Sequence, residues 1–405
     1  MNDSTTPAPA IEPGPFSSPP TAAAFPEAGS QPLQAYRYPL RFTGSGGEYF
    51  KVWIVNLLLT IATLGIYSAW AKVRKMQYFY RNTEIDGSVF DYHGKPMAIL
   101  KGRLIALALI LAYHFSIDFS VVLGLVAAAV FAAAWPWLLT QSLRFKLHNT
   151  SYRGLRFRFT GPARFLYLLM GIPLAAVLLA SGLMTAGLEN GAKPDLWMLA
   201  PIFAVYAVLM LLFPWLYFQF KRYQHRHSGY GNAMGRFHGR VRSVYWIFLQ
   251  AVLLAALAIG LMATLLFGTA VGTAIAGNRS SGGWLIATMI ASLIVFYGVF
   301  FSLLPMVQAR LQNYVWNNSL LGLLGFDSRA RARRMAFIAI TNILLIIVTL
   351  GFFTPFAAVR MYRYRVESVA VLSTGDLDGF VARQSAEVGA AGEGVADLMD
   401  FDFSL

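Results

Sequence analysis

TLGIYSAWAKVR (Thr63 to Arg74) returns near the other end of the chain as TLGFFTPFAAVR (Thr349 to Arg360). In both copies an apolar run ends on an aromatic, Trp70 or Phe356, and an arginine stands four residues later, Arg74 or Arg360. With the aromatic as a register mark, three weaker copies fall between them, anchored on Trp137, Trp215 and Met306. Four residues past each anchor comes Arg74, Gln141, Gln219, Arg310 or Arg360. Eight past it the residue is aromatic in every copy: Tyr78, Phe145, Tyr223, Tyr314, Tyr364. Twelve and thirteen past it stand Asn82-Thr83, Asn149-Thr150, His227-Ser228, Asn318-Ser319 and the degraded pair Ser368-Val369. The first three copies close on Gly94, Gly161 and Gly239. Repetition at fixed offsets identifies an internal repeat, which organises everything else.

Each unit has a physical reading. An apolar helix reaches the membrane edge, an aromatic sits in the interface, and a cationic amphipathic helix continues outward. The Asn-Thr pair stops it, because both side chains compete for backbone hydrogen bonds. Stretches such as GSVFDYHG, GLRFRFTG and MGRFHG then alternate aromatic with polar residues and predict short strands.

Composition agrees with a membrane setting. The 405 residues are 57% hydrophobic and 13% charged, with mean hydropathy +0.54, whereas a soluble domain carries about 25% charged residues. Zero cysteines exclude disulfides and thiolate chemistry. A spanning helix needs roughly 20 apolar residues, so the intervals Gly94–Trp137, Gly161–Trp215 and Gly239–Met306 each predict a two-helix hairpin. Lysine and arginine crowd residues 72–103, 144–164, 221–242 and 310–334, while the hairpin turns are nearly bare, which places the basic segments in the cytoplasm. The outer segments, before Trp70 and before Phe356, hold either one span each or one broken re-entrant segment each. Cations on both flanks and the central Thr-Leu-Gly lean toward the re-entrant form. The fold expected is an all-α polytopic membrane protein of six to eight transmembrane helices, with internal repeats and short cytoplasmic strands or turns. Residues 1–35 read as a disordered Pro/Ala-rich tail, 36–370 as the integral membrane domain of five degenerate repeats, and 371–405 as a disordered acidic tail.

The run YFKVWIVNLLLTIATLGIYSAWAKVRKMQYFYRNTEIDGSVFDYHG, with the later ITNILLIIVTLGFFTPFAAVR, resembles the YjgN family of bacterial inner-membrane proteins over about residues 36–370. The resemblance implies inner-membrane location and a multi-span fold. It brings no established activity.

Candidate site residues are few. Asn56 and Asn342 hold matched places in the outer segments, fourteen residues before Trp70 and Phe356. A polar pair beside a helix break can line a substrate pathway or glue its segment to the bundle, and with Asn56 and Asn342 go Thr63, Gly65, Thr349 and Gly351. Arg74, Arg310 and Arg360 are candidates for contact with lipid headgroups or other anions, against the plainer reading of topology anchors. His225, His227 and His238 share one basic loop, but His227 and His238 fall on repeat positions, so no metal site is expected. No phosphate loop, G-x-S-x-G or H-E-x-x-H occurs, and neither catalysis nor a cofactor is expected. Nucleic-acid binding is set aside because every basic stretch abuts a span. The partners expected are the bilayer, anionic phospholipid headgroups on its cytoplasmic face and a protein docked on the acidic C-terminal tail. Two functions remain: a transporter or channel-like protein for a small solute or lipid-like molecule, or a non-transporting scaffold that binds anionic lipid.

Overall fold

The computed structural model describes residues 36–189, 196–276 and 282–400; the tail read over residues 1–35 lies outside them. The aromatic-polar alternation forms strands, and the strands find one another. β1 (Tyr36–Pro39) and β2 (Arg41–Phe42) come first. Four hairpins follow: β3 (Thr83–Ile85) with β4 (Ser88–Tyr92), β5 (Thr150–Tyr152) with β6 (Leu155–Phe159), β7 (Ser228–Tyr230) with β8 (Ala233–Phe237), and β9 (Ser319–Leu321) with β10 (Leu324–Ser328). β11 (Val369–Ser373) is last. Together they make one 11-stranded antiparallel sheet, ordered β1-β11-β10-β9-β8-β7-β6-β5-β4-β3-β2. Its two ends are separated in the chain by Leu40 alone, whose N–H donates to the Val369 carbonyl at 3.1 Å. The covalent chain thus closes the sheet into a near-barrel.

This sheet overturns the all-α expectation. Three- and five-residue strands are marginal alone. Each becomes stable by pairing with a strand from the neighbouring unit, for instance Phe90 opposite Tyr152 and Phe157 opposite Tyr230. No single segment's propensity contains that partner.

The helices stand between strand pairs. α1 (Gly46–Ala62) and α2 (Ser68–Arg81) join β2 to β3, and α3 (Pro96–Phe119) and α4 (Val121–His148) join β4 to β5. α5 (Ala163–Leu166) runs through a π-helical turn (Tyr167–Gly171) into α6 (Ile172–Glu189), and α7 (Leu196–Arg226) completes that hairpin. α8 (Val241–Ala276) and α9 (Gly282–Asn317) follow, then α10 (Ala332–Val348) and α11 (Thr354–Glu367), and α12 (Leu377–Asp400) ends the described chain. From α1 to α11 the long helices pack on their chain neighbours, and α11 packs back on α1, so the helices also close a ring.

Six of these segments are long and apolar enough to cross a membrane: Pro96–Ser116, Val122–His148, Ala163–Gly182, Ala200–Arg226, Val241–Gly272 and Ile286–Asn317. Each outer segment is a pair of short helices rather than one span. β2 and β3 are paired neighbours (Phe42 opposite Thr83), as are β10 and β11, so the helices between them leave the barrel rim and come back to it.

The fixed offsets acquire physical causes. Tyr78, Tyr223, Tyr314 and Tyr364 donate their hydroxyls to the carbonyls of Ser45, Pro162, Arg240 and Arg331 at 2.7–3.0 Å. Each bond ties the foot of one helix to the start of another. Gly161 and Gly239 lie beneath such hydroxyls, where a Cβ would come within 2.5 and 2.3 Å of Tyr223 and Tyr314 oxygen. Asn82, Asn149 and Asn318 donate their side-chain amides four residues back, to Tyr78, Phe145 and Tyr314 carbonyls. Their own carbonyls accept the N–H of Thr43, His93 and His238. One residue therefore ends the helix and starts the strand ladder.

The acidic tail differs most from expectation. Leu377, Phe380 and Val381 of α12 are buried against Ile85, Tyr152, Tyr230, Leu324 and Val371 of the barrel. The Gln384 side-chain carbonyl accepts the N–H groups of Asn232 and Ala233 at 2.9 and 2.7 Å, in the β7–β8 turn. Arg153 reaches both Asp86 and Asp378. An unfolded tail over 371–405 is thus wrong for β11 and the first turns of α12, and Asp378 is already engaged within the chain.

Candidate functional site

The tips of the outer hairpins account for the recurring Thr-Leu-Gly. The Thr63 hydroxyl donates to the Leu59 carbonyl at 2.7 Å and accepts the Tyr67 N–H at 2.9 Å. Thr349 does the same with Leu345 and Phe353. The Gly65 N–H reaches back to the Thr60 carbonyl and the Leu64 N–H to Ile61, a Schellman closure that Gly351 and Leu350 repeat. Gly65 and Gly351 sit at φ 92° and 95°, where a side chain would strain the backbone. These four predicted pathway residues build a turn. The leucine between them is also left-handed, φ 49° in both copies, and is almost fully exposed.

Asn56 and Asn342 lie deeper, both buried, and their partners differ. Asn342 donates to the Ala357 carbonyl at 3.2 Å and accepts from Arg360 at 2.8 Å, joining α10 to α11. The Asn56 Oδ1 has no partner. Asn342→Leu is therefore expected to lower stability by about 2 kcal/mol, because it strands a guanidinium N–H and a carbonyl. Asn56→Leu is expected to be neutral or stabilising, since it removes an orphaned acceptor. Thermal unfolding of the two purified variants checks this, and equal losses would contradict it.

Arg74 and Arg360 stand over Tyr67 and Phe353, with guanidinium carbons 5.7 and 6.0 Å from the ring centroids. Each lines a groove. The first, about 820 Å³, is walled by Phe337, Ile338 and Phe356 and carries Arg333, Arg334, Arg360 and Arg363, with Glu367 at its edge. The second, about 510 Å³, is walled by Val52 and Val55 and carries Lys51, Arg74, Arg81, Gln77 and Tyr78. Six lining positions correspond in register: 51 with 337, 52 with 338, 74 with 360, 77 with 363, 78 with 364 and 81 with 367. Burial, helped by the Glu48 carboxylate, pushes the Tyr78 phenol up to about 12, so it remains a donor at neutral pH. Arg81 is shared with Asp91 at 2.8 Å.

Structure brings Arg360 to Asn342 and Thr341 but leaves Arg74 free of Asn56. Arg310 is half-buried on α9 and lines neither groove. Sequence reasoning missed Lys51, Arg333, Arg334 and Arg363; the signal of the first three was a position on the arm facing an already chosen arginine, and that of Arg363 a place three residues past Arg360 on the same helix. The histidines stand apart: His225 Nδ1 is 3.1 Å from the Ser319 hydroxyl and His227 Nδ1 is 2.9 Å from the Tyr223 carbonyl.

A family model described as a bacterial protein of unknown function (DUF898) matches residues 37–398. Inner membrane protein YjgN of Salmonella typhimurium is 26% identical over 383 residues, 85% of this chain and 90% of that protein. The proteins of the same name from Escherichia coli K12 and O157:H7 are each 31% identical over 153 residues, 35% of this chain and 37% of theirs. No solved structure matches.

Proposed function

The chain belongs to the DUF898 family and is a multi-pass inner-membrane protein, and from that premise we propose that it binds anionic phospholipid headgroups of the inner leaflet in two matched grooves. One observation carries the reading: two grooves at corresponding positions, each combining apolar walls with an arginine one turn beyond the interface aromatic. Apolar walls suit acyl chains, and the cations suit phosphate, worth about 1 kcal/mol each near an anionic surface. The role is that of a lipid-binding scaffold and requires no catalysis. In the same reading residues 36–370 are five copies of a helix-and-strand unit, supported by the matched tyrosine and asparagine hydrogen bonds.

Native mass spectrometry of the full chain, purified with phosphatidylglycerol and phosphatidylcholine, tests it. Arg74→Gln and Arg360→Gln are each expected to weaken phosphatidylglycerol retention about fivefold at one groove, the equivalent of about 1 kcal/mol. Phosphatidylcholine should be unaffected. Unchanged retention in the double variant would defeat the proposal. Movement of a small solute is the second reading, and it rests on the unpartnered Asn56 Oδ1 inside an otherwise apolar re-entrant arm. Under that reading Asn56→Leu abolishes solute flux into proteoliposomes without lowering stability; under lipid binding it alters neither.

A further inference from the structure

The two grooves match in position but not in charge. Arg333 and Arg334 from the start of α10 and Arg360 and Arg363 from α11 line the larger one, where Glu367 is the one carboxylate among the lining residues. Lys51, Arg74 and Arg81 line the smaller, but Arg81 is held by Asp91 at 2.8 Å and the lining Tyr78 hydroxyl stands 3.2 Å from the Glu48 carboxylate. Three positive charges are thus left without a carboxylate in the larger groove, and one in the smaller.

The sequence difference is local. Arg333 and Arg334 hold the register positions that Gly47 and Glu48 hold in the α1–α2 arm. Glu48 caps α1 by accepting the Ser45 N–H, whereas the first turn of α10 has no acidic residue and its N-cap, Arg331, makes no side-chain capping bond. Cations at a helix start oppose its dipole, so this placement costs stability unless an anion covers it. Among the described residues neither Arg333 nor Arg334 makes an ion pair. Positive-inside topology accounts for arginines on this side of the membrane, but not for two of them at a helix start inside a groove.

On the facing helix the cations are already fixed. The Arg360 guanidinium donates to the Asn342 side-chain carbonyl at 2.8 Å, and that of Arg363 to the Gly44 carbonyl at 2.7 Å. A guanidinium has five N–H donors, so both keep donors for an anion. The larger groove also has the room, about 820 Å³ against about 510 Å³, and Phe337, Ile338 and Phe356 give it an apolar wall.

We propose that the larger groove selects a phospholipid carrying two phosphates, of the type in which a glycerol bridges two phosphatidyl groups, and that the smaller groove takes lipids with one. The proposal rests on the reading of both grooves as lipid sites. One phosphate is bound by Arg360 and Arg363, held in place before it arrives, and the other by Arg333 and Arg334, where the start of α10 adds its dipole. The acyl chains lie along the apolar wall, which a soluble diphosphate would leave uncovered.

Native mass spectrometry of the full chain, loaded with cardiolipin or phosphatidylglycerol at equal total phosphate, tests it. Cardiolipin is expected to be retained about fivefold more strongly, one molecule per protein. Arg333→Gln with Arg334→Gln should bring that ratio close to one. Arg156→Gln with Arg158→Gln removes the same charge from the exposed positions of β6 and should leave the ratio unchanged. Equal retention of cardiolipin and phosphatidylglycerol by the unsubstituted protein would overturn the proposal, whether or not the arginine variant folds, and would leave the two-groove reading standing. Equal retention of phosphatidylglycerol and phosphatidylcholine would defeat that reading and this one with it. The same fall in both double variants would mean that overall charge sets the preference, and displacement of cardiolipin by inorganic pyrophosphate would mean that the groove takes a free anion; either result sinks the assignment.

Discussion

Aspartate at both hairpin tips, Leu64→Asp with Leu350→Asp, is expected to drive the re-entrant hairpins out of the membrane and to cost about 5 kcal/mol in total. The two leucines are 96% and 90% exposed within the protein. They also occupy left-handed backbone, which costs a non-glycine residue roughly 1 kcal/mol and where glycine would serve better. A strained, fully exposed leucine at the same place in both hairpins makes physical sense if lipid surrounds it. Leu64 stands six positions before Trp70, across the turn that precedes α2, so the tip lies beyond the interface aromatic. Burying a leucine there contributes about 2 kcal/mol, and a carboxylate adds a further penalty. The cysteine-free chain permits a clean readout. Ile66→Cys should react slowly with a water-soluble maleimide in the parent and rapidly in the aspartate variant. Equal rates in the two backgrounds would mean that the tips do not enter the bilayer.

Much of this architecture could be read from residue offsets, and the failures share a cause. The Tyr at the eighth position announced itself because in four copies it ties the foot of one helix to the start of another, and the Asn at the twelfth because in three copies it bonds four residues back. The barrel did not, because its seam joins Tyr36–Pro39 to Ala370–Ser373, strands from opposite ends of the chain. Local pattern predicts that a strand exists but not what it pairs with. α12 was hidden by its composition. Leu377, Phe380, Val381 and Gln384 follow helical spacing, but acidic and small residues around them dominate any average over the tail. The Thr-Leu-Gly phrase recurred and so invited a functional reading, and the structure gives it a structural role in two matching Schellman turns.

Phe380→Asp is expected to be the most damaging single substitution in the barrel, lowering stability by about 4 kcal/mol. Phe380 is 5% exposed and stacks on Tyr230, with centroids 6.3 Å apart and an interplanar angle of 14°. Removing a buried phenylalanine alone costs about 3 kcal/mol or more. The replacement would also leave an unpaired carboxylate among Ile85, Tyr152 and Val371. Asp378→Asn, two residues away, provides the contrast. Its partner Arg153 also holds Asp86 at 3.1 Å, and Asp378 is 72% exposed, so its loss should cost under about 1 kcal/mol. Unfolding temperature and the rate of tryptic cleavage after Arg383 report both. A barrel closed only by its strand pairing would treat the two substitutions alike. A barrel stoppered by α12 must separate them, because Leu377, Phe380 and Val381 share one apolar cluster with Ile85, Tyr152, Tyr230, Leu324 and Val371 of its strands, whereas Asp378 lies at the surface.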